Sequence, residues 1–300
     1  MKISSFSSLF LIGLCIIGLG SCKKPAKAKP ATTTNINPKT AVTVCDYDAN
    51  DTTLTNHGWT KTFDDEFTGD LSNWYAYTGG EEFSGVYEQQ CYEPANAQIV
   101  NGVLQITAMQ QTVTGPQTVN STTQQSFNYT SASIVSNQTF SANSTTPKVR
   151  IVARVKIASG YGMVSLFESY GINWPTNGQI NFFQVEGNDL QEYETDYFYG
   201  TQLSQNLVNN AMVYDPVNQD LSTCWHVFMT EWTQNSLNYY LDGQLVETKT
   251  VGGYVPSLFG KPENIALSLP IGGLYYTNLV PANIQVGTLY VDYVKVFTSN

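Results

Sequence analysis

Charge is scarce in this chain. Asp, Glu, Lys and Arg make up 13% of its 300 residues, and only 14 are Lys or Arg against 24 acids, a formal net charge of -10. Several of those basic residues lie before residue 40. Too few remain to build the surface that a polyanion needs, so no nucleic-acid partner is expected. Histidine is almost missing: His57 and His226 make no metal-binding pair. No apolar run after residue 19 is long enough to span a bilayer, which excludes an integral membrane helix. Helical periodicity is nearly absent, which leaves β-structure. Neutral polar and aromatic residues are plentiful, Tyr alone numbering 19. Such a surface suits an uncharged sugar polymer, as it suits exported β-proteins in general.

The first residues set the compartment. Lys2 is followed by an apolar run from Leu9 to Leu19, then by Leu19-Gly20-Ser21-Cys22. This resembles a bacterial lipoprotein signal, with residues 1–21 removed and Cys22 lipidated. The protein is expected to be exported and held on the cell envelope, in the periplasm or at the cell surface, by its lipid alone. Residues 22–58 then read as a flexible tether. The stretch 23–39 is rich in Lys, Pro, Ala, Thr and Asn, and cannot bury enough surface to offset its ordering entropy. Residues 59–300 form one domain, with no internal repeat. Cys15 leaves with the signal, so Cys45, Cys91 and Cys224 remain. In an oxidising compartment they imply one disulfide and one buried thiol, with the pairing open.

Short alternating runs set apart by Gly, Asn, Pro and Ser fill the domain, at 102–108, 131–136, 150–157, 179–185, 227–232, 237–241, 265–269 and 288–297. Asp242-Gly243 between two such runs predicts a tight hairpin. Many short strands with turn punctuation predict an all-β fold, a two-sheet antiparallel sandwich.

Eight segments in order carry a resemblance. They are Phe63-Asp64-Asp65-Glu66-Phe67, Glu88-Gln89-Gln90-Cys91-Tyr92, Asn101-Gly102-Val103-Leu104-Gln105-Ile106, Trp174-Pro175 with Gly178, Cys224–Phe228 with Glu231-Trp232-Thr233, Tyr240-Leu241-Asp242-Gly243, Ser268–Gly273 and Val291–Phe297. Together they resemble glycoside hydrolase family 16, from about Thr62 to the C-terminus. The resemblance implies a jelly roll with a cleft along its concave sheet, and an endo-acting, retaining β-glycosidase. It also implies a structural calcium held by the Asp292 side chain and the Gly102 carbonyl. No cofactor is required for the reaction.

The departure lies at Gly178-Gln179-Ile180-Asn181-Phe182-Phe183-Gln184. The family reads G-E-I-D-(I/F)-x-E there, or E-x-D-x-x-E in its longer form, so each acid is replaced by its own amide. By resemblance Gln179 stands at the nucleophile, Asn181 at the helper and Gln184 at the acid/base. Retaining hydrolysis needs two carboxyls about 5–5.5 Å apart. An amide is a poor nucleophile and has no usable proton, and general acid–base help alone is worth about 10²–10⁴-fold. On a regular strand Gln184 would face away from Gln179 and Asn181, so a β-bulge at 182–183 is expected. That bulge also turns Glu186 to the cleft. Two further departures fit natural loss of the chemistry. The family's W-P-A-F-W appears as Met163-Val164-Ser165-Leu166-Phe167, without a sugar-stacking Trp, and Val86 stands for Asn.

Glu186, Glu88, Asp189 and Glu192 are the acids in reach as replacements, and each also reads as an ordinary rim acid. For ligand binding the candidates are Glu88, Gln90, Tyr92, Trp174 and Glu186, with Tyr92 and Trp174 as aromatic platforms. Trp232 and Tyr240 read as packing between the sheets. The expected function is binding of a β-linked polysaccharide, a β-glucan or galactan, without cleavage, by a monomer. Two alternatives stand: an active endo-β-glycanase with displaced acids, and a structural envelope protein.

Overall fold

The computed structural model describes residues 41–81, 87–207, 212–276 and 278–300. The expected signal, Cys22, the first part of the tether and Val86 lie outside these residues.

Two antiparallel sheets pack face to face, and three further strands form a small third sheet. The first has seven strands, in the order Val213–Pro216, Glu192–Phe198, Gln179–Glu186, Val164–Tyr170, Glu263–Ser268, Ser133–Phe140 and Trp74–Ala76. The second has eight strands and contains Lys148–Lys156, His226–Thr233, Ser236–Leu241 and Thr288–Ser299. This is the two-sheet sandwich that the alternating runs predict, in the jelly-roll form that the family resemblance implies. Asp242 and Gly243 turn the expected hairpin with φ of 49° and 78°, both in the left-handed region that tight hairpin turns require. The runs missed by pattern include Val164–Tyr170 and Glu192–Phe198, whose alternation is blurred by polar residues on the outward side.

The core lies between the sheets. Phe183 and Phe228 meet across it with ring centroids 4.4 Å apart, and Tyr193 meets Phe228 at 5.3 Å. Phe182 and Phe183 are both buried. Register slips between Asn181 and Gln184, where the bulge is expected. Each buried ring contributes about 1.5–3 kcal/mol, against about 0.5–1.5 kcal/mol for a hydrogen bond on the other face. The two Phe rings therefore fix this strand, and its polar positions are left open to change. Trp232 is buried as expected, but Tyr240 is not: alternation puts Tyr239 in the core and turns Tyr240 outward to Glu231.

The tether expected through residue 58 is shorter. Residues 41–58 are packed on the domain. Ala41 bridges to Val217, Val44 N–H donates to Asp242, and Leu54 is buried beside Val152 and Phe297. Cys45 is joined to Cys224 across 179 residues, and Cys91 is a buried free thiol. Closing so long a loop restricts the unfolded chain strongly. Cys45→Ser/Cys224→Ser is expected to lower stability by about 2–5 kcal/mol in urea unfolding, with the far-ultraviolet spectrum of the folded state unchanged.

Candidate functional site

The Gln179–Glu186 strand lies third from one edge of the seven-stranded sheet. Cross-strand register places its polar residues in rows on the face turned away from the core. Tyr75, Val135, Ala266, Glu168, Asn181 and Asp196 form one row. Ser133, Ser268, Leu166, Gln184 and Glu194 form the next. Past the register slip, Gln184 returns to the face of Asn181, as the E-x-D-x-x-E spacing requires.

Gln179 and Gln184 are held by side chains the motif does not contain, and Asn181 by Gln179. Gln179 Nε2 donates to Glu168 Oε2 at 2.7 Å and to Asn181 Oδ1 at 2.8 Å. Gln179 Oε1 accepts the indole N–H of Trp174 at 2.5 Å. Gln184 Nε2 donates to Glu194 Oε1 at 3.3 Å, and the hydroxyl of Tyr275 reaches the same oxygen at 3.4 Å. Each position at which the family motif carries an acid thus has a carboxylate neighbour one strand away. Such pairs are stable because one member is an amide; two carboxylates at these distances would repel. Burial, then the charge of Glu194, pushes Asp196 up to about 7. Burial, then Glu194, Asp196 and Glu168, pushes the Tyr275 hydroxyl well above its usual range. The three acids and Tyr275 therefore share one electrostatic environment.

Glu88, Gln90 and Tyr92 form a separate group beside the loop at 271–273. Glu88 bridges to Gly272, and its Oε2 accepts from Gln90 at 2.6 Å and from Tyr92 at 2.9 Å. Burial pushes Glu88 up to about 7. Gln90 and Tyr92 are themselves buried, so Tyr92 steadies Glu88 and presents no ring face. Trp174 is half-buried, lies near Phe198, and is the candidate that touches the motif. Glu186 is half-buried at the far end of the strand, opposite Val164. Phe167, aligned with the missing Trp, points into the core against Phe182 and Phe183. Its outward neighbour is Glu168.

Residues 93–294 match the family model of glycosyl hydrolases family 16. The chain belongs to that family. It is 25% identical over 252 residues to the clotting factor G alpha subunit of Tachypleus tridentatus, covering 80% of this chain and 34% of that protein. It is 24% identical over 267 residues to glucan endo-1,3-beta-glucosidase A1 of Niallia circulans, covering 80% of this chain and 38% of that protein. The chain thus spans little more than a third of these relatives. Endo-beta-1,3-glucanase from Pyrococcus furiosus shares its fold with a TM-score of 0.68 at 24% identity, over 81% of this chain and 95% of that one.

The calcium expected in this family at Asp292 and Gly102 does not fit the residues present. Both line a shallow pocket of about 260 Å³ with Asp48, Glu66 and Lys295. Arg154 Nη1 donates to Asp292 Oδ2 at 2.7 Å, and Lys295 Nζ lies 2.8 Å from Glu66. Positive charge is already supplied there by side chains. Among the described residues no three His, Cys, Asp or Glu side chains converge as a metal site. His226 is buried on Asp242 at 2.9 Å, in a structural pair.

Pattern reading missed Glu168, Glu194, Asp196 and Tyr275. A signal existed for two of them: Glu192, Glu194 and Asp196 repeat with period two, so they share one face of a strand.

Proposed function

We propose that this protein is an exported lipoprotein, anchored through Cys22, that holds a β-linked glucan along the outer face of its seven-stranded sheet without cutting it. Gln179 carries this reading. Its carbonyl oxygen is occupied by the Trp174 indole, and its amide nitrogen by Glu168 and Asn181. Double displacement needs an ionised nucleophile and a proton donor on the scissile bond, and neither 179 nor 184 supplies one. What the face does supply is a half-buried Trp with amide donors and carboxylate acceptors beside it. Aromatic faces and paired donors and acceptors are what a sugar chain needs for recognition. The names of the relatives, endo-1,3-beta-glucosidase and endo-beta-1,3-glucanase, support a β-1,3-glucan as the polymer.

The test is incubation of the full chain, in detergent, with laminarin, followed by affinity electrophoresis and mass analysis of released oligosaccharides. Retardation without products is the expected result. Trp174→Ala is expected to weaken retardation about tenfold or more, the loss of one stacking contact and one hydrogen bond. Products that scale with protein concentration would overturn the non-cleaving reading.

A further inference from the structure

We propose that Glu168 is the ligand-contacting acceptor at the centre of this face, and that the acids around it confine the ligand to uncharged glycans, excluding sulfated and uronic polymers. This rests on the binding reading above and names its chemistry.

Basic residues are unevenly divided between the sheets. The seven strands of the binding sheet contain no Lys or Arg. Lys148, Arg150, Arg154, Lys156 and Lys295 all lie on strands of the other sheet. Lys249, also from that sheet, reaches Thr195 and Glu247 from the core side. The outer face of the binding sheet thus gathers Glu168, Glu194 and Asp196 with no cation from its own strands. Glu194 and Asp196 are about 2% and 1% exposed, whereas Glu168 is half-buried. Glu168 is therefore the acid of this group that a ligand meets.

Its geometry favours that contact. Glu168 follows Phe167, whose ring is fixed in the core, so the carboxylate is held outward on a rigid strand. Gln179 fixes one of its oxygens at 2.7 Å. The half-buried Trp174 indole is joined to the same Gln179. Ring face, amide and carboxylate therefore form one connected unit, suited to a sugar ring with its hydroxyls directed at the acid. A sulfate or carboxylate brought to that place would meet the carboxylates of Glu168 and Glu194 within about one screening length, and like-charge contact at an interface is strongly disfavoured.

The experiment is affinity electrophoresis of the full chain in laminarin and, separately, in carrageenan, at low and high salt. Wild type is expected to be retarded by laminarin almost independently of salt and not by carrageenan. Glu168→Gln keeps the shape, and is expected to lower laminarin affinity about tenfold, as loss of a charged hydrogen bond does, with the melting temperature not lowered. Retardation by carrageenan at low salt would overturn the charge filter. Unchanged laminarin affinity in Glu168→Gln, with Trp174→Ala still weakened, would overturn the role of Glu168 and leave glucan binding standing. Absence of laminarin binding in wild type would overturn both.

Discussion

Restoring the family's three acids, Gln179→Glu with Asn181→Asp and Gln184→Glu, is expected to give a less stable protein that still leaves laminarin intact. Making Glu168→Gln and Glu194→Gln as well is expected to release oligosaccharides. The reason is the pair of contacts at 2.7 and 3.3 Å between the amide nitrogens and these two acids. A Glu at 179 would stand against the carboxylate of Glu168, and one at 184 against Glu194. Two unit charges about 4 Å apart repel by about 4 kcal/mol at an effective dielectric constant of about 20. Each pair would keep one proton, and a protonated nucleophile does not attack. The five-residue variant exchanges amide and acid within the 168/179 and 184/194 pairs, so each of those two hydrogen bonds keeps one donor and one acceptor, while the contact between positions 179 and 181 becomes a carboxylate pair that shares one proton. Measured side by side, reducing-end release should separate the two variants while urea melts rank the triple variant lowest. Equal cleavage by both would mean that Glu168 and Glu194 do not oppose a carboxylate on the neighbouring strand.

This arrangement also shows where sequence reading runs out. Motif order and strand alternation were enough for the sandwich, the hairpin at Asp242-Gly243 and the bulge before Gln184, because each follows from local geometry. The amides were legible as substitutions at three spaced positions. Their partners were not, since Glu168 and Glu194 become neighbours of Gln179 and Gln184 only through cross-strand register, which the connections and register shifts between consecutive strands set. The same limit explains Tyr92. Its place in a motif says nothing about exposure, and the fold spends its hydroxyl on Glu88. Tyr240 was misplaced for a simpler reason: two adjacent tyrosines cannot both face the core of a regular strand, and the pattern alone does not say which one does.

Stability is expected to fall as pH rises from about 4 to 7 and to continue falling more gently above that. Most proteins lose stability on acidification because paired carboxylates must take up protons. Here several acids are shifted the other way. Burial pushes both Asp196 and Asp215 up to about 7 from an unfolded value of 3.8. Burial also pushes Glu263 well above its usual range; among the described residues Ser169 is its only hydrogen-bond partner and its second oxygen has none. Between its unfolded and folded values, each such group is protonated in the folded protein and ionised in the unfolded chain. The unfolded state then binds fewer protons, so each group lowers stability by about 1.4 kcal/mol per pH unit across that window. Below about pH 4 both states are protonated and the penalty vanishes; above about 7 Asp196 and Asp215 ionise in both states and their slopes level off. Glu263 sustains the decline beyond that point. Thermal melts from pH 4 to 9 should show the trend, and Glu263→Gln should melt higher than the parent at pH 8 and no higher at pH 4. A melting temperature that climbs from pH 4 to 7 would mean that ionised acids stabilise this fold, and that the buried carboxyls are not held protonated.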